Sequence, residues 1–171
     1  MPHVIAYTDG GASGNPGPGG FGVVLMSGHH QKEISRAYRL TTNNRMELLA
    51  VIVALETLRH PGTHIDIHSD SKYVVDAVTK GWLQNWVRKG FKDKKNPDLW
   101  RRYLTAAKPH HVRFHWVKGH AGDRWNERAD QLAVMAYKES VLETDEGYER
   151  SVASRGLPPR GEPPVPLYPK P

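Results

Sequence analysis

The sequence predicts an α/β domain whose five-stranded mixed sheet combines three antiparallel strands with two parallel strands and is flanked by about five helices. Two observations support this prediction. Early in the chain, alternating segments separated by a short turn at Gly28 indicate consecutive antiparallel strands. Later, segments with strand and helix periodicity follow one another, which is typical of parallel strands joined by a right-handed crossover helix.

The first half of the chain predicts three strands and a buried helix. A strand over residues 3–9 leads into a glycine-rich stretch, residues 10–20, which we expect to be a loop. Residues 21–27 and 32–40 predict a hairpin. Residues 46–58 then predict a helix that is apolar on most of its faces and is therefore packed into the core.

The second half predicts two more strands and four helices. The strands are expected over residues 63–69 and 111–118, and the helices over residues 71–79, 82–88, 97–107 and 125–137. We therefore expect the first and fourth strands to be parallel neighbours. The carboxyl ends of such strands lie at one edge of a sheet, where open α/β sheets bind their ligands.

The glycine-rich stretch at residues 10–20 could suggest a nucleotide-binding loop. However, no Gly-Lys-Ser/Thr sequence follows it, and the next segment predicts a strand instead of a helix. A mononucleotide-binding loop is therefore not expected. Close approach of the glycine backbone to some other ligand remains open.

Composition restricts the class of protein. The 171 residues contain no cysteine, which excludes disulfides and thiolate metal sites and suits a reducing cytoplasm. The first residues lack the features of a signal peptide, and the longest apolar run, residues 48–55, is too short to span a membrane. We expect a cytoplasmic, monomeric protein with no membrane partner.

Charge and composition also divide the chain. Residues 80–102 carry eight Lys or Arg against Asp93 and Asp98, so the net charge of +6 is concentrated there, which indicates a polyanionic partner. A solvated helix face is the alternative. Residues 1–149 predict one domain, and residues 150–171, which are rich in proline, predict a disordered tail.

Four acids are candidates for a metal site. Asp9 and Asp70 each end a predicted strand, Glu47 lies on the apolar helix, and Asp130 lies on the last predicted helix. Clustered carboxylates need a cation, and oxygen ligands favour Mg²⁺ or Mn²⁺ over zinc. Alternatively, Glu47 forms a capping box with Asn44, and the two aspartates are ordinary turn formers.

Six segments, in this order, resemble bacterial ribonuclease HI. They are TDG at residues 8–10, GNPGPGG at 14–20, TTNNRME at 41–47, SDS at 69–71, VKGH at 117–120 and NERAD at 126–130. The resemblance implies a ribonuclease H-like fold and an endonuclease that hydrolyses the RNA strand of RNA–DNA hybrids with two Mg²⁺ ions, leaving 5′-phosphate and 3′-hydroxyl ends. Mn²⁺ is expected to substitute.

The resemblance also implies roles for single residues. The catalytic and metal-binding acids would be Asp9, Glu47, Asp70 and Asp130, and His120 would be the catalytic histidine of a mobile loop. The hybrid would contact Asn15, Thr42, Asn43, Asn44, Trp82, Lys89, Lys92, Lys94 and Lys95. Two features depart from the family. The basic connection, residues 89–96, is shortened at residues 91–96, and the tail has no counterpart.

Several alternatives remain open at this stage. Trp82 and Trp86 are spaced to pack together into the core, Trp86 more so than Trp82. The ten histidines lack zinc-ligand spacing. The rival functions are another nuclease of the same fold, such as an integrase or resolvase type, and a catalytically silent hybrid-binding module.

Overall fold

The computed structural model describes residues 3–119 and 123–154. The strands in this part of the chain are β1 (His3–Ala12), β2 (Gly17–Ser27), β3 (His30–Thr41), β4 (His64–Ser69) and β5 (His111–Trp116). The helices are α1 (Asn43–Glu56), α2 (Lys72–Thr79), α3 (Trp82–Arg88), α4 (Pro97–Ala107), α5 (Arg124–Glu139) and α6 (Glu146–Ser154).

The five strands form one mixed sheet in the order β3-β2-β1-β4-β5. The β1–β2 and β2–β3 pairs are antiparallel, whereas the β1–β4 and β4–β5 pairs are parallel. Thr8 lies opposite Ser69, and Ser69 lies opposite Trp116, so the parallel pairing of β1, β4 and β5 ends at one edge of the sheet. This topology confirms the predicted fold class.

Helices cover both faces of the antiparallel half of the sheet. On one face, α1 packs against β1, β2 and α4, and its residues from Leu48 to Leu55 are all buried, as its apolar sequence predicts. On the other face, α5 packs against β1, β2 and β3. The backbones of α5 and β2 approach so closely that a Cβ atom on Gly22 would lie 2.3 Å from the carbonyl oxygen of Ala129.

The glycine-rich stretch is mostly strand, which corrects the predicted loop. β1 continues to Ala12 and β2 begins at Gly17, so the connecting loop is only residues 13–16. The physical reason is packing: the glycines of β1 and β2 let α1 and α5 approach the sheet. Glycine content alone does not distinguish such strands from a loop.

The start of α1 also differs from the prediction. The helix begins at Asn43, and the side chain of Thr42 caps it by accepting a 3.2 Å hydrogen bond from the backbone N–H of Arg45. Thr42 is therefore the N-cap residue. This excludes the capping box between Asn44 and Glu47, and leaves Glu47 without a role in capping.

A sixth helix, α6, crosses the predicted domain boundary between residues 149 and 150. Glu149 and Val152 are both buried, and Glu149 accepts two hydrogen bonds, of 2.8 and 2.7 Å, from the Arg39 guanidinium. This long-range pairing is invisible to local periodicity, which explains why the helix was not predicted. Residues 155–171 lie outside the described residues, so the disordered tail stays a prediction there.

None of the helices within residues 3–119 and 123–154 combines the length and the apolar character needed to cross a membrane.

Candidate active site

Three acids meet at the edge of the sheet where β1, β4 and β5 end. Asp9 lies in β1, Asp70 directly follows β4, and Glu47 lies on the second turn of α1. One carboxylate oxygen from each of the three can be chosen so that all lie within 4.8 Å of one another. We call Asp9, Glu47 and Asp70 the acidic triad.

A close contact between β1 and α1 brings Glu47 to the triad. A Cβ atom on Gly10 would lie 2.6 Å from the backbone nitrogen of Glu47, so only glycine fits there without displacing the helix. The backbone N–H of Gly10 also interacts with the carboxylates of Asp9 and Glu47, and so partly opposes the rise in pKa that burial causes in both. The glycine that follows Asp9 therefore sets the geometry of the triad.

The triad is electrostatically unfavourable without a cation. Burial, followed by the charge of Asp70 and a hydrogen bond with Asp130, raises the pKa of Asp9 to about 9. Burial, followed by the charges of Asp9 and Asp70, raises the pKa of Glu47 well above its ordinary value. These raised values mean that Asp9 and Glu47 favour their protonated forms at neutral pH unless a positive charge compensates them.

The oxygen atoms of the triad fit a hard cation. Oε1 of Glu47 and Oδ1 of Asp70 are buried and have no hydrogen-bond partner among the described residues. Buried polar atoms are normally satisfied, and unsatisfied carboxylate oxygens are the ligands that Mg²⁺ uses. The donor set therefore fits Mg²⁺ or Mn²⁺ and does not fit a metal that prefers nitrogen or sulfur ligands.

Asp130 lies beside the triad but is not one of its three close members. It projects from α5, on the face of the sheet opposite α1, and it is close enough to the Asp9 carboxyl to contribute to the raised pKa of Asp9. Asp123 caps α5 by accepting hydrogen bonds of 2.9 and 3.1 Å from the N–H groups of Trp125 and Asn126. His120 lies outside the described residues, so its predicted role is untested.

Comparisons with known proteins bear on this arrangement. The family model described as RNase H matches residues 1–138. The chain belongs to the ribonuclease H family. A ribonuclease H from Trichodesmium erythraeum (strain IMS101) is 50% identical over 151 residues, and the match covers 85% of this chain and 96% of that relative. The resemblance and the enzyme class, endoribonuclease, are thereby confirmed.

Solved structures agree with the family assignment. LC9-RNase H1, a type 1 RNase H with the type 2 active-site motif, matches with a TM-score of 0.76 and 30% identity, over 99% of this chain and 93% of that one. LC11-RNase H1, solved in complex with an RNA/DNA hybrid, matches with a TM-score of 0.57 and 29% identity, over 80% of this chain and 97% of that one.

In this ribonuclease H fold, the predicted substrate contacts near the triad are linked to one another. Oδ1 of Asn15 accepts a 2.9 Å hydrogen bond from the backbone N–H of Asn43, and Oδ1 of Asn43 accepts one of 2.6 Å from the N–H of Ala12. Because both carbonyl oxygens are used internally, the Nδ2 groups are the donors that these side chains can offer. Asn44 is exposed beside them.

The basic connection, residues 89–96, borders two neighbouring clefts of the ribonuclease H domain. One cleft is lined by Asn15, Thr42, Asn44, Lys94 and Lys95, among others. The second is lined by Trp82, Asn85, Trp86, Lys89, Lys92 and Lys94. Lys94 belongs to both, so the two sets of predicted substrate contacts form one continuous surface.

The two tryptophans of α3 behave differently. Trp82 is 43% exposed, whereas the Trp86 ring packs edge-on against Trp100 with ring centroids 5.8 Å apart. Trp86 is thus a core residue, as its spacing suggested, and Trp82 is available to a ligand. Lys89, Lys92 and Lys94 line the same cleft as Trp82.

The histidines do not form a metal site within residues 3–119 and 123–154. There, the acidic triad is the only group of three or more potential ligands that is close enough to bind a metal ion. Four histidines instead stack in pairs across β4 and β5: His64 on His111 at 4.4 Å and His68 on His115 at 4.8 Å.

A buried ion network surrounds Arg45, and no local sequence pattern predicts it. This arginine is 3% exposed and donates hydrogen bonds of 2.7–2.9 Å to the carboxylates of Asp98 and Asp145. The carboxylates raise its pKa above the ordinary value although burial opposes them. Because Arg45 lies two residues before Glu47, the network ties the triad helix to α4 and to the residue before α6.

Proposed function

We propose that this protein hydrolyses the RNA strand of RNA–DNA hybrids by two-metal-ion catalysis, leaving 5′-phosphate and 3′-hydroxyl ends. The observation that carries the proposal is the acidic triad, with its partnerless buried carboxylate oxygens. Membership of the ribonuclease H family supports the reaction class.

Asp9, Glu47, Asp70 and Asp130 would hold two Mg²⁺ ions, and Mn²⁺ would substitute. A metal ion bound there would lower the pKa of the attacking water and would compensate the negative charge of the phosphate. In the reaction, the water oxygen bonds to phosphorus and the bond from phosphorus to the 3′ oxygen breaks. The water loses a proton and the 3′ oxygen gains one, which gives the two proposed ends.

Substrate selection would rest on the surface beside the triad. The Nδ2 donors of Asn15 and Asn43, with Thr42 and Asn44, are suited to the 2′-hydroxyls and base edges of a shallow minor groove. The 2′-hydroxyl distinguishes RNA from DNA at such a site. A relative of this fold, LC11-RNase H1, was solved with an RNA/DNA hybrid, which supports the same substrate here.

The DNA strand of the hybrid would lie along the basic connection. Lys89, Lys92, Lys94 and Lys95 are exposed and would pair with phosphates, while the exposed ring of Trp82 would meet the DNA strand. His120 would move protons or assist product release, a task suited to a side chain that titrates near neutral pH.

The test is the cleavage of one labelled sequence in four forms: RNA–DNA hybrid, duplex RNA, duplex DNA and single-stranded RNA. We expect only the RNA strand of the hybrid to be cut, with Mg²⁺ or Mn²⁺ and not with EDTA. Phosphatase treatment of the products, followed by ligation, identifies the ends. Cleavage of duplex DNA would favour another nuclease of this fold, and hybrid binding without cleavage would favour the silent binding module.

The remaining proposals concern organisation. We place the end of the catalytic domain at or after Ser154, since α6 is packed on it, and the proline-rich tail beyond. We propose a monomer that acts in the cytoplasm. Sedimentation equilibrium at micromolar concentration checks the first statement, and a dimer would contradict it.

A further inference from the structure

Trp116 occupies an unusual position for a large aromatic side chain. It ends β5 and is 47% exposed, although Val112 and Phe114, which precede it at two-residue spacing on the same strand, pack against the core. It lies opposite Ser69, the residue before Asp70. Burial of such a ring is favourable, so an exposed tryptophan at this position indicates a contact with another molecule.

The ring of Trp116 is tied to the acidic triad. Its indole Nε1–H donates a 3.3 Å hydrogen bond to the backbone carbonyl of Asp70. Neighbouring strands are about 4.8 Å apart, so the backbone of Trp116 lies one strand spacing from β4 and about two from β1, which carries Asp9. A nucleic acid strand rises about 3.4 Å per nucleotide. The ring is therefore one to three nucleotides from a phosphate held at the triad.

A cation accompanies the ring. The Nζ atom of Lys72, the first residue of α2, lies 4.8 Å from the centroid of the Trp116 ring. Lys72 is exposed, and no carboxylate within the described residues forms an ion pair with it. Lys72 lies outside residues 80–102, so it is not part of the basic segment that the sequence analysis assigned to a polyanionic partner.

A flat ring and a fixed positive charge are the two groups that bind single nucleotides of a strand. Bases stack on exposed aromatic rings, and lysine pairs with the phosphate beside them. Neither Lys72 nor Trp116 lines the two clefts that contain Trp82 and the lysines of the basic connection. The pair is therefore a separate element of the surface around the triad.

We propose that Lys72 and Trp116 form an additional substrate subsite, which binds one phosphate and one base or ribose of the RNA strand beside the scissile position. This inference rests on the proposed function. The indole hydrogen bond to Asp70 fixes the ring, so the subsite is rigid before substrate arrives. By binding one nucleotide, the subsite determines which phosphate of the RNA strand lies at the triad.

The experiment compares Trp116→Ala, Trp116→Phe and Lys72→Gln with the wild-type protein. Hybrid affinity is measured in EDTA over a series of salt concentrations, and KM and kcat are measured in Mg²⁺. Trp116→Ala should weaken hybrid binding about 5- to 100-fold and raise KM, with kcat within threefold of wild type. Trp116→Phe should recover most of the affinity, because it keeps a stacking ring.

Lys72→Gln should reduce the slope of log affinity against log salt by about 0.9, the value for one lost phosphate contact. Trp116→Ala should leave that slope unchanged. Lys32→Gln, which removes an exposed lysine from β3, is the matched control and should alter neither slope nor affinity. Melting temperatures of all variants show whether a loss of binding comes from unfolding.

Three results would overturn the proposal. Affinity and KM within twofold of wild type in both Trp116→Ala and Lys72→Gln would show that the pair does not touch substrate. A loss of kcat at unchanged KM and affinity would mean that Trp116 only positions Asp70. If the wild-type protein neither binds nor cleaves hybrids, the proposed function fails with the subsite; if it does both, only the subsite is in question.

Discussion

Gly10 lies so close to Met46 that a Cβ atom on Gly10 would be 2.4 Å from the backbone carbonyl carbon of Met46. The contact presses the strand that carries Asp9 against the helix that carries Glu47. Real Cβ atoms do not approach backbone atoms this closely, so any larger residue must move the helix away. The spacing of the acidic triad therefore depends on a residue that has no side chain.

Gly10→Ala should lower both stability and metal affinity. Overpacking of a close contact costs about 1–3 kcal/mol, and displacement of α1 should separate Glu47 from Asp9. Gly11→Ala is the matched control, since a Cβ atom there meets only Oδ1 of Asn43, at an ordinary 3.6 Å. Urea unfolding and Mg²⁺ titration measure the two effects, and equal behaviour of the two variants would refute the argument.

Asp70→Asn should abolish cleavage and retain hybrid binding, because affinity comes mainly from phosphate contacts elsewhere. In EDTA the variant should melt at or above the wild-type temperature, since one of three like charges has been removed. Mg²⁺ should stabilise the wild-type protein, by about 2.7 kcal/mol at a hundred times its dissociation constant, and should stabilise the variant far less. Near-normal turnover of the variant in Mg²⁺ would remove Asp70 from the metal site.

Replacement of Lys92, Lys94 and Lys95 by Gln should weaken hybrid binding and flatten its salt dependence, because fewer counterions are released. Cleavage at saturating substrate should change little. A control with the same charge loss replaces Lys32, Arg59 and Lys108, which lie outside the two clefts of the basic connection. An equal slope for the two triple variants would place the basic connection away from the substrate.

Asp66 lies at the centre of a cluster on β1, β4 and β5, away from the triad. Its carboxylate receives contacts of 2.7 Å from Nε2 of His115, 2.5 Å from Nε2 of His3 and 3.0 Å from Nε of Arg113. The bonds to His115 and His3 are the main cause of a strongly lowered pKa of Asp66. A lowered pKa means that the ionised form stabilises the fold.

Asp66→Asn should therefore destabilise the protein at neutral pH, by about 1.5–3 kcal/mol, the value for hydrogen bonds to a charged group. The stabilisation is complete above the unfolded-state pKa of about 3.9 and is lost as the pH falls toward the lower folded-state value. The difference between wild type and variant should shrink below about pH 4. Glu33→Gln, which breaks an exposed pair with Arg128, should cost far less. Urea unfolding from pH 3 to 7 measures both.

The sequence predicted those features that depend on neighbouring residues. The bounds of α3 and α4 agree with the prediction because Pro97 and the basic connection between them are local signals. Asp9 and Asp70 each end a predicted strand, and the parallel pairing of β1 with β4, which ends at Thr8 and Ser69, brings the two acids together although β1 itself continues to Ala12. The apolar stretch of α1 likewise identified a helix that is buried on most of its faces.

The sequence did not predict features that depend on contacts between distant segments. Arg45 and Asp145 are separated by 100 residues, and nothing in either segment indicates the pairing. The glycines of β1 and β2 resemble a loop until the helices that pack on them are known. The exposure of Trp116 depends on how the carboxyl end of β5 is covered, which periodicity does not describe.

The pairing of Arg45 with Asp145 makes a specific prediction for C-terminal truncations. A chain that ends at Thr144 lacks Asp145 and α6, so the buried guanidinium keeps only its contacts with Asp98 and Asn96. Removal of one partner from a buried ion pair costs about 3–5 kcal/mol. At about 2–4 °C per kcal/mol for a chain of this size, the melting temperature should fall by about 6–20 °C.

Two shorter truncations test which C-terminal residues are responsible for the loss of stability. Termination after Arg150 removes the buried side chain of Val152 and should lower the free energy of unfolding by about 1–2 kcal/mol. Termination after Ser154 should change the melting temperature by less than about 2 °C, because the removed segment is rich in proline and poor in apolar residues. Asp145→Asn in the full chain should reproduce most of the loss seen at Thr144, and Glu56→Gln, which breaks the exposed pair with Arg102, should not. If Asp145→Asn and Glu56→Gln melt alike, the network around Arg45 does not hold α6 on the domain, and the whole effect of the truncation must come from apolar contacts.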